Sequence, residues 1–286
     1  VYPERNYNWL TSELVSWRTL DGSISQGVLY KPENFDSSRR YPLIFDYYDK
    51  RSIELNVYRI PGYSDGEINI PWFVSNGYMV FIPDIHYKIG HVGESVLNSI
   101  ISAARILSSR TYIDSTRMGI VGHSFGGYET NYLLTHSTIF AAAISSAGFC
   151  DLMGMYGSLW EDGSSFSEYF ELRAGRMGVT PWENREAYIS NSPIFNVDKV
   201  VTPVLMMNNV DDKAVPFSQG VQFFTALRRL GKKAWMLQYE DEGHSLYSLE
   251  AKADYTIRTT QFLDHFLKGK PAPGWMSNEQ HPLWKE

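Results

Sequence analysis

The chain has 286 residues, 43% hydrophobic and 20% charged, with a formal net charge of −6. This is the balance of an ordinary globular protein with enough material for a sizeable core, near the upper end for one α/β domain. The acidic sum argues against a nucleic-acid-binding face, no apolar run approaches the ~20 residues of a membrane span, and the single cysteine, Cys150, excludes an internal disulfide or a multi-cysteine metal site.

Residues 1–12 lack a clear period and read as an entering linker to a body spanning 13–286. Segments 14–19 and 25–31 read as strands about Asp21-Gly22, a strong hairpin signal. After a turn-rich stretch, 42–48 (PLIFDYY) is predicted to be a third strand, entering a loop over 49–68 too irregular to assign. A short helix is expected over 69–76, stopping at Gly77, and an apolar strand over 78–82. Apolar residues at 96/97, 100/101, 104 and 107 predict a helix over 93–109.

The stretch that organises the rest follows. An apolar strand at 118–121 runs into GHSFGG (122–127) and then a helical pattern with Tyr128, Tyr132 and Leu133. Strand, G-x-S-x-G, helix is the context of a nucleophile elbow. So sharp a turn needs Gly122 and Gly126, because a Cβ at either would strike neighbouring backbone. Ser124 would be lifted into a cleft, with the free N–H groups and dipole of the following helix aimed at it.

Beyond the elbow, 140–146 reads as a buried strand, and 148–193 breaks the rhythm as an insertion of short helices capping the cleft. Strands at 201–208 and 234–239 and helices at 217–230 and 250–267 complete the alternation; the first of these helices shows Val221, Phe224, Leu227 and Leu230 on one face. The fold class is α/β: a mostly parallel sheet with helices on both faces, preceded by an antiparallel hairpin. Ligands in such folds bind at the carboxyl ends of the strands.

That rule sorts the chemistry. A serine hydroxyl needs a base, usually histidine, held by a carboxylate, and here in the chain order Ser, Asp, His. NVDDKAVP, after the 201–208 strand, offers Asp211 or Asp212, and YEDEGHSL, after the last strand, offers His244. The remaining histidines have simpler readings. His123 should point away across the elbow, His136 should cap the elbow helix, His265 should pack or lie exposed, and His86 and His91 should fill a loop. His281 lies in a Pro-rich tail. None has metal-site spacing, so no metal or cofactor is expected. The neighbours of Cys150 suggest a small buried thiol.

GHSFGGY, DKAVPF (212–217) and DEGHS (241–245) together resemble the peptidase domain of the prolyl oligopeptidase family, the group that includes dipeptidyl peptidase IV and acylaminoacyl peptidase; the similarity spans about 14–268. The resemblance implies an α/β-hydrolase fold and selects Asp212, three residues before Val215, as the triad acid, leaving Asp211 a solvated carboxylate. It implies an oxyanion hole from the Phe125 N–H and the hydroxyl of Tyr48, with Tyr47 the alternative. It further implies a serine peptidase acting on short peptides through Ser124, Asp212 and His244, with a peptide as substrate. A homodimer is among the assemblies open to it. The rivals are an esterase acting on acylated sugars or other small esters with the same triad, and a non-catalytic binding domain.

The 148–193 insertion would form one wall of the substrate pocket, with Tyr156, Trp160, Phe166, Tyr169, Phe170 and Trp182, beside Tyr128 of the elbow helix, as candidates. Glu168, Glu171, Arg173 and Arg176 are expected to be solvated or paired with one another. The chain also departs from the family pattern: DIHYKIGHVGES after Pro83 replaces an Arg-Gly-rich loop, and Asn209 stands where a glycine usually precedes the acid motif. The family usually carries an N-terminal β-propeller, and nothing here could form one. Opening at Val1 rather than Met, the chain reads as processed or as an excerpt of something longer. Residues 1–12 resemble the chain leaving such a propeller, so it is expected to be the C-terminal domain of a longer peptidase, and the absent start with the family's frequent export favours the periplasm or exterior.

Overall fold

Side chains alternate along an extended segment, so a strand buried on both sides must supply two apolar sets. A computed structural model of the chain, describing residue 5 and residues 9–277, realises this strand by strand. The strands are β1 (Leu10–Arg18), β2 (Ile24–Pro32), β3 (Tyr41–Asp46), β4 (Met79–Pro83), β5 (Ile113–His123), β6 (Ala142–Ser146), β7 (Val204–Met207) and β8 (Ala234–Leu237). They form one sheet in the order β1-β2-β4-β3-β5-β6-β7-β8. The β1–β2 and β2–β4 pairs are antiparallel and the others parallel.

One register row crosses most of the sheet: Leu29, Phe81, Phe45, Ile120, Ala143, Val204 and Ala234. All seven face one apolar cluster. Their neighbours Val28, Val80, Ile44, Val121, Ile144 and Leu205 face the other.

The helices are α1 (Ile70–Ser75), α2 (Val92–Ser108), α3 (Phe125–His136), α4 (Leu152–Tyr156), α5 (Ser167–Leu172), α6 (Arg185–Ser190), α7 (Phe217–Arg229) and α8 (Leu249–Lys268). Apolar residues of α2, α3 and α7 cover the first face, and those of α1 and α8 the second. Side-chain caps mark several starts: Asn69 accepts from the Trp72 N–H, and Ser248 from the Ala251 N–H. Gly269, at φ 69, stops α8 in the left-handed conformation.

Several expectations need correction. Residues 10–12 belong to the sheet rather than to a linker, because Leu10, Thr11 and Ser12 pair with Pro32, Lys31 and Tyr30. The remainder of that linker apart from Arg5 and Trp9 lies outside the described residues, as does His281. β3 stops at Asp46, leaving Tyr47 and Tyr48 in the turn beyond it. The 49–68 loop contains a 3-10 turn, Ser52–Asn56, anchored where Asp84 accepts from the Arg51 and Ser52 N–H groups. On α7 the inward residues are Gln219, Gly220, Phe223 and Leu227, while Leu230 is 49% exposed. Gln219 turns the helix this way, since its side-chain oxygen accepts from the Cys150 and Asp151 N–H groups. Cys150 is buried as expected, and burial pushes its thiol pKa up.

The 148–193 insertion has a small core of its own. Phe149, Leu152, Met155, Phe166, Phe170 and Tyr188 pack with Phe125 and Tyr128 of α3. The insertion is thereby seated on the elbow helix.

Candidate active site

The elbow has the tightness expected of it. A Cβ on Gly122 would lie 2.1 Å from the Gly126 carbonyl oxygen, and one on Gly126 would lie 2.6 Å from that of Tyr47. Ser124, between β5 and α3, has φ 60 and ψ −118, a strained conformation for a residue with a side chain. Its N–H donates to Ser146 O at 2.8 Å, and its carbonyl accepts from the Tyr128 N–H at 3.1 Å.

Three loops at the carboxyl ends of β5, β7 and β8 then converge. His244 Nε2 lies 2.7 Å from Ser124 Oγ. His244 Nδ1 lies 2.8 Å from Asp212 Oδ2 and 3.0 Å from Oδ1. Asp212 is buried, and its Oδ1 also accepts from the Ala214 and Val215 N–H groups at 2.8 and 2.9 Å. Asp211 faces solvent. An ionised Asp212 fixes the Nδ1–H tautomer, which leaves Nε2 free to accept the serine proton.

Tyr48 stands on the other side of the serine. Its ring meets Phe125 edge-on at 6.3 Å, and its hydroxyl lies near enough to Ser124 for the serine side chain to act on its pKa. Burial raises its pKa, which keeps it a neutral O–H donor at neutral pH. Phe125 opens α3, where a backbone N–H has no acceptor within the helix. Tyr47 instead is fully buried, with its hydroxyl 2.8 Å from Thr130 Oγ1.

Two residues not singled out for such a role from the sequence hold the histidine loop. Asn209 is 1% exposed; its Nδ2 donates to Gly243 O at 2.8 Å, and its Oδ1 accepts from the Tyr239 N–H at 3.0 Å. His123 Nε2 lies 2.8 Å from His244 O. A carbonyl only accepts, so this nitrogen carries the proton and His123 points away from the serine, as its position in the elbow implied. Burial lowers its pKa, favouring the neutral ring. Nothing local in sequence marks either contact; Asn209 was visible only as a departure from the family pattern.

The pocket candidates divide. Tyr169 packs edge-on to Phe125 at 6.4 Å and to Trp160 at 5.9 Å, so both flank the site. Trp160 also lines a cleft of about 630 Å³ that includes His244, Ala214 and Tyr247. Tyr128 is buried beneath the site, stacked on Phe149 with its hydroxyl bonded to Asn191 O. Phe166 and Phe170 are core residues of the insertion. Tyr156 bonds Glu171 through its hydroxyl and packs edge-on against Trp182, which is 79% exposed.

Of the four charged residues, Glu168 and Arg173 pair with each other. Glu171 has Tyr156, and Arg176 reaches out of the insertion to Asp49 at 2.6 Å. Three of the other histidines bond locally, His91 to Glu94, His136 to Tyr132 O and His265 to Lys270 O, while His86 has a buried Nε2 without a partner among the described residues. No helix among the described residues is long and apolar enough to cross a membrane.

Comparison with known proteins places this geometry. Dipeptidyl-peptidase 5 of Porphyromonas endodontalis is 30% identical over 257 residues, covering 84% of this chain and 35% of that one. Porphyromonas gingivalis dipeptidyl peptidase 4 shares the fold at TM-score 0.73 and 23% identity, over 92% of this chain and 37% of that one. Pyrococcus horikoshii acylaminoacyl peptidase does so at TM-score 0.73 and 22% identity, over 94% and 44%. The chain thus spans well under half the length of each. At such identities the structures speak for the α/β-hydrolase fold alone. Residues 65–270, which contain the elbow and both later loops, match the prolyl oligopeptidase family, and the chain belongs to that family.

Proposed function

We propose that this chain is the catalytic domain of a serine peptidase, with Ser124 as nucleophile, His244 as general base and acid, and Asp212 as the group that orients the histidine. Ser124 Oγ attacks the scissile carbonyl while His244 Nε2 takes its proton. The oxygen that becomes anionic is received by the Phe125 N–H and the Tyr48 hydroxyl. His244 returns the proton to the departing amine, and water releases the acyl group by the same steps. No metal or cofactor takes part in these steps.

The observation that carries this reading is the unbroken chain from Ser124 Oγ through His244 to Asp212, at 2.7 and 2.8 Å, with the Tyr48 ring packed on Phe125, the residue after the serine. Peptides are favoured as substrates because the chain's relatives carry peptidase names. Tyr169 packs on Phe125 and Trp160 on Tyr169 at the cleft with His244, which suits an apolar substrate side chain next to the scissile bond. The greater length of those relatives leaves room for a further domain, and an N-terminal β-propeller is the one the family resemblance implies.

The test is hydrolysis of short Pro- and Ala-anilides and of p-nitrophenyl acyl esters, by this chain and by any longer parent. Amide turnover should fall by about 10⁶ in Ser124→Ala and, as a drop in kcat, by ~10²–10³ in Tyr48→Phe. Ester turnover alone, in both lengths, would make the protein an esterase. No serine-dependent turnover of either kind would leave a binding domain.

A further inference from the structure

Glu129 is fully buried in the second turn of α3, five residues after Ser124, and no step of the mechanism uses it. One of its oxygens, Oε1, hydrogen-bonds the Tyr87 hydroxyl, and the other has no partner. The same hydroxyl lies 2.8 Å from the backbone carbonyl oxygen of Tyr48. A phenol has one proton, and a carbonyl can only accept. With the Tyr87 proton on the Tyr48 carbonyl, the contact to Glu129 needs a second proton, which the carboxyl must hold. The order of donation is then Glu129 to Tyr87 to the Tyr48 carbonyl.

We infer that Tyr87 and Glu129 are positioning residues for the oxyanion donor: through this chain they tie the Tyr48 turn to α3, the helix that carries the nucleophile. The assignment rests on the serine-hydrolase reading above. Burial of Glu129 acts in the same direction, favouring the carboxylic acid, and outweighs the opposing pull of the Tyr87 hydroxyl and of the nearby Arg176. Arg176 supports the arrangement from outside. Its guanidinium lies 4.0 Å over the Tyr87 ring and bonds Asp49, the residue after Tyr48.

The experiment measures the second-order rate of labelling by a fluorophosphonate. Its phosphoryl oxygen enters the same hole, and the probe demands no knowledge of the natural substrate. Tyr87→Phe removes the shared hydroxyl and should slow labelling about tenfold, the worth of one well-placed hydrogen bond; the partners it strands should also lower the melting temperature, a loss that the Tyr48→Phe comparison separates from the effect on the hole. In a Tyr48→Phe background the same change should have no further effect, since it acts only through Tyr48. Glu129→Gln, whose amide can still donate to Tyr87, should restore most of the rate lost in Glu129→Leu. Serine-dependent labelling that ignores Tyr87→Phe, or an effect that adds in full to Tyr48→Phe, overturns the positioning role alone. No labelling of the wild type, or labelling that survives Ser124→Ala, removes the serine reading and the positioning role with it.

Discussion

Asn209 engages both ends of its amide with backbone, donating to Gly243 and accepting from Tyr239, and in doing so binds the acid loop to the histidine loop. Asn209→Ala would strand two buried backbone groups, at about 1–3 kcal/mol each. It should therefore lower the urea midpoint, and it should reduce kcat more than KM, because the displaced group is the proposed base rather than the substrate wall. A KM effect with kcat intact would assign Asn209 to substrate binding instead. Ser124, Asp212 and His244 were legible in sequence because each follows a strand within a short motif. Asn209, His123, Tyr87 and Glu129 were not, because their contacts reach across 34, 121, 39 and 42 residues. A motif is local; a side chain bonded to distant backbone leaves no local trace.

Among the elements, the central strands were legible as short apolar runs bounded by turn residues, since a strand buried on both faces shows no alternation. The helices show where apolar counting fails. α3 is buried along almost its whole length, so it has no polar stripe to orient it, and Glu129, Thr130 and Asn131 all lie inside. On α7 a buried glutamine sets the rotation, which moves Phe223 inward and Leu230 outward. Leu227→Ala should therefore cost about 2–5 kcal/mol in equilibrium unfolding, by transfer and cavity terms. Leu230→Ala should stay within about 0.5 kcal/mol, as surface changes do. Equal losses would restore the simple stripe. The insertion was legible as an interruption, yet aromatic content alone could not separate its core ring Phe170 from the site-flanking Tyr169, one residue apart.

For the whole molecule, the burial of Glu129 carries a pH dependence of stability. Its folded pKa lies well above the ordinary 4.5, chiefly through burial and despite the Tyr87 hydrogen bond and Arg176. Above pH 4.5 the unfolded chain has released this proton while the folded chain keeps it, so the folded state binds more protons. The contribution is complete below about 4.5 and is lost as pH rises through the folded value, by up to about 1.4 kcal/mol per unit. Glu129→Gln has no such slope. Its melting temperature, relative to wild type, should climb between pH 5 and pH 8; a constant difference would mean that Glu129 is ionised in the fold.

The order of parts along the sheet bears on the history of each molecule. His244 lies 120 residues beyond Ser124 and follows the last strand. During synthesis the serine leaves the ribosome long before its base exists, and through all that time it is an ordinary alcohol. A growing polypeptide is itself a string of the bonds that the proposed site would cut, so late arrival of the base keeps each nascent chain safe from its own serine until the last strand is made.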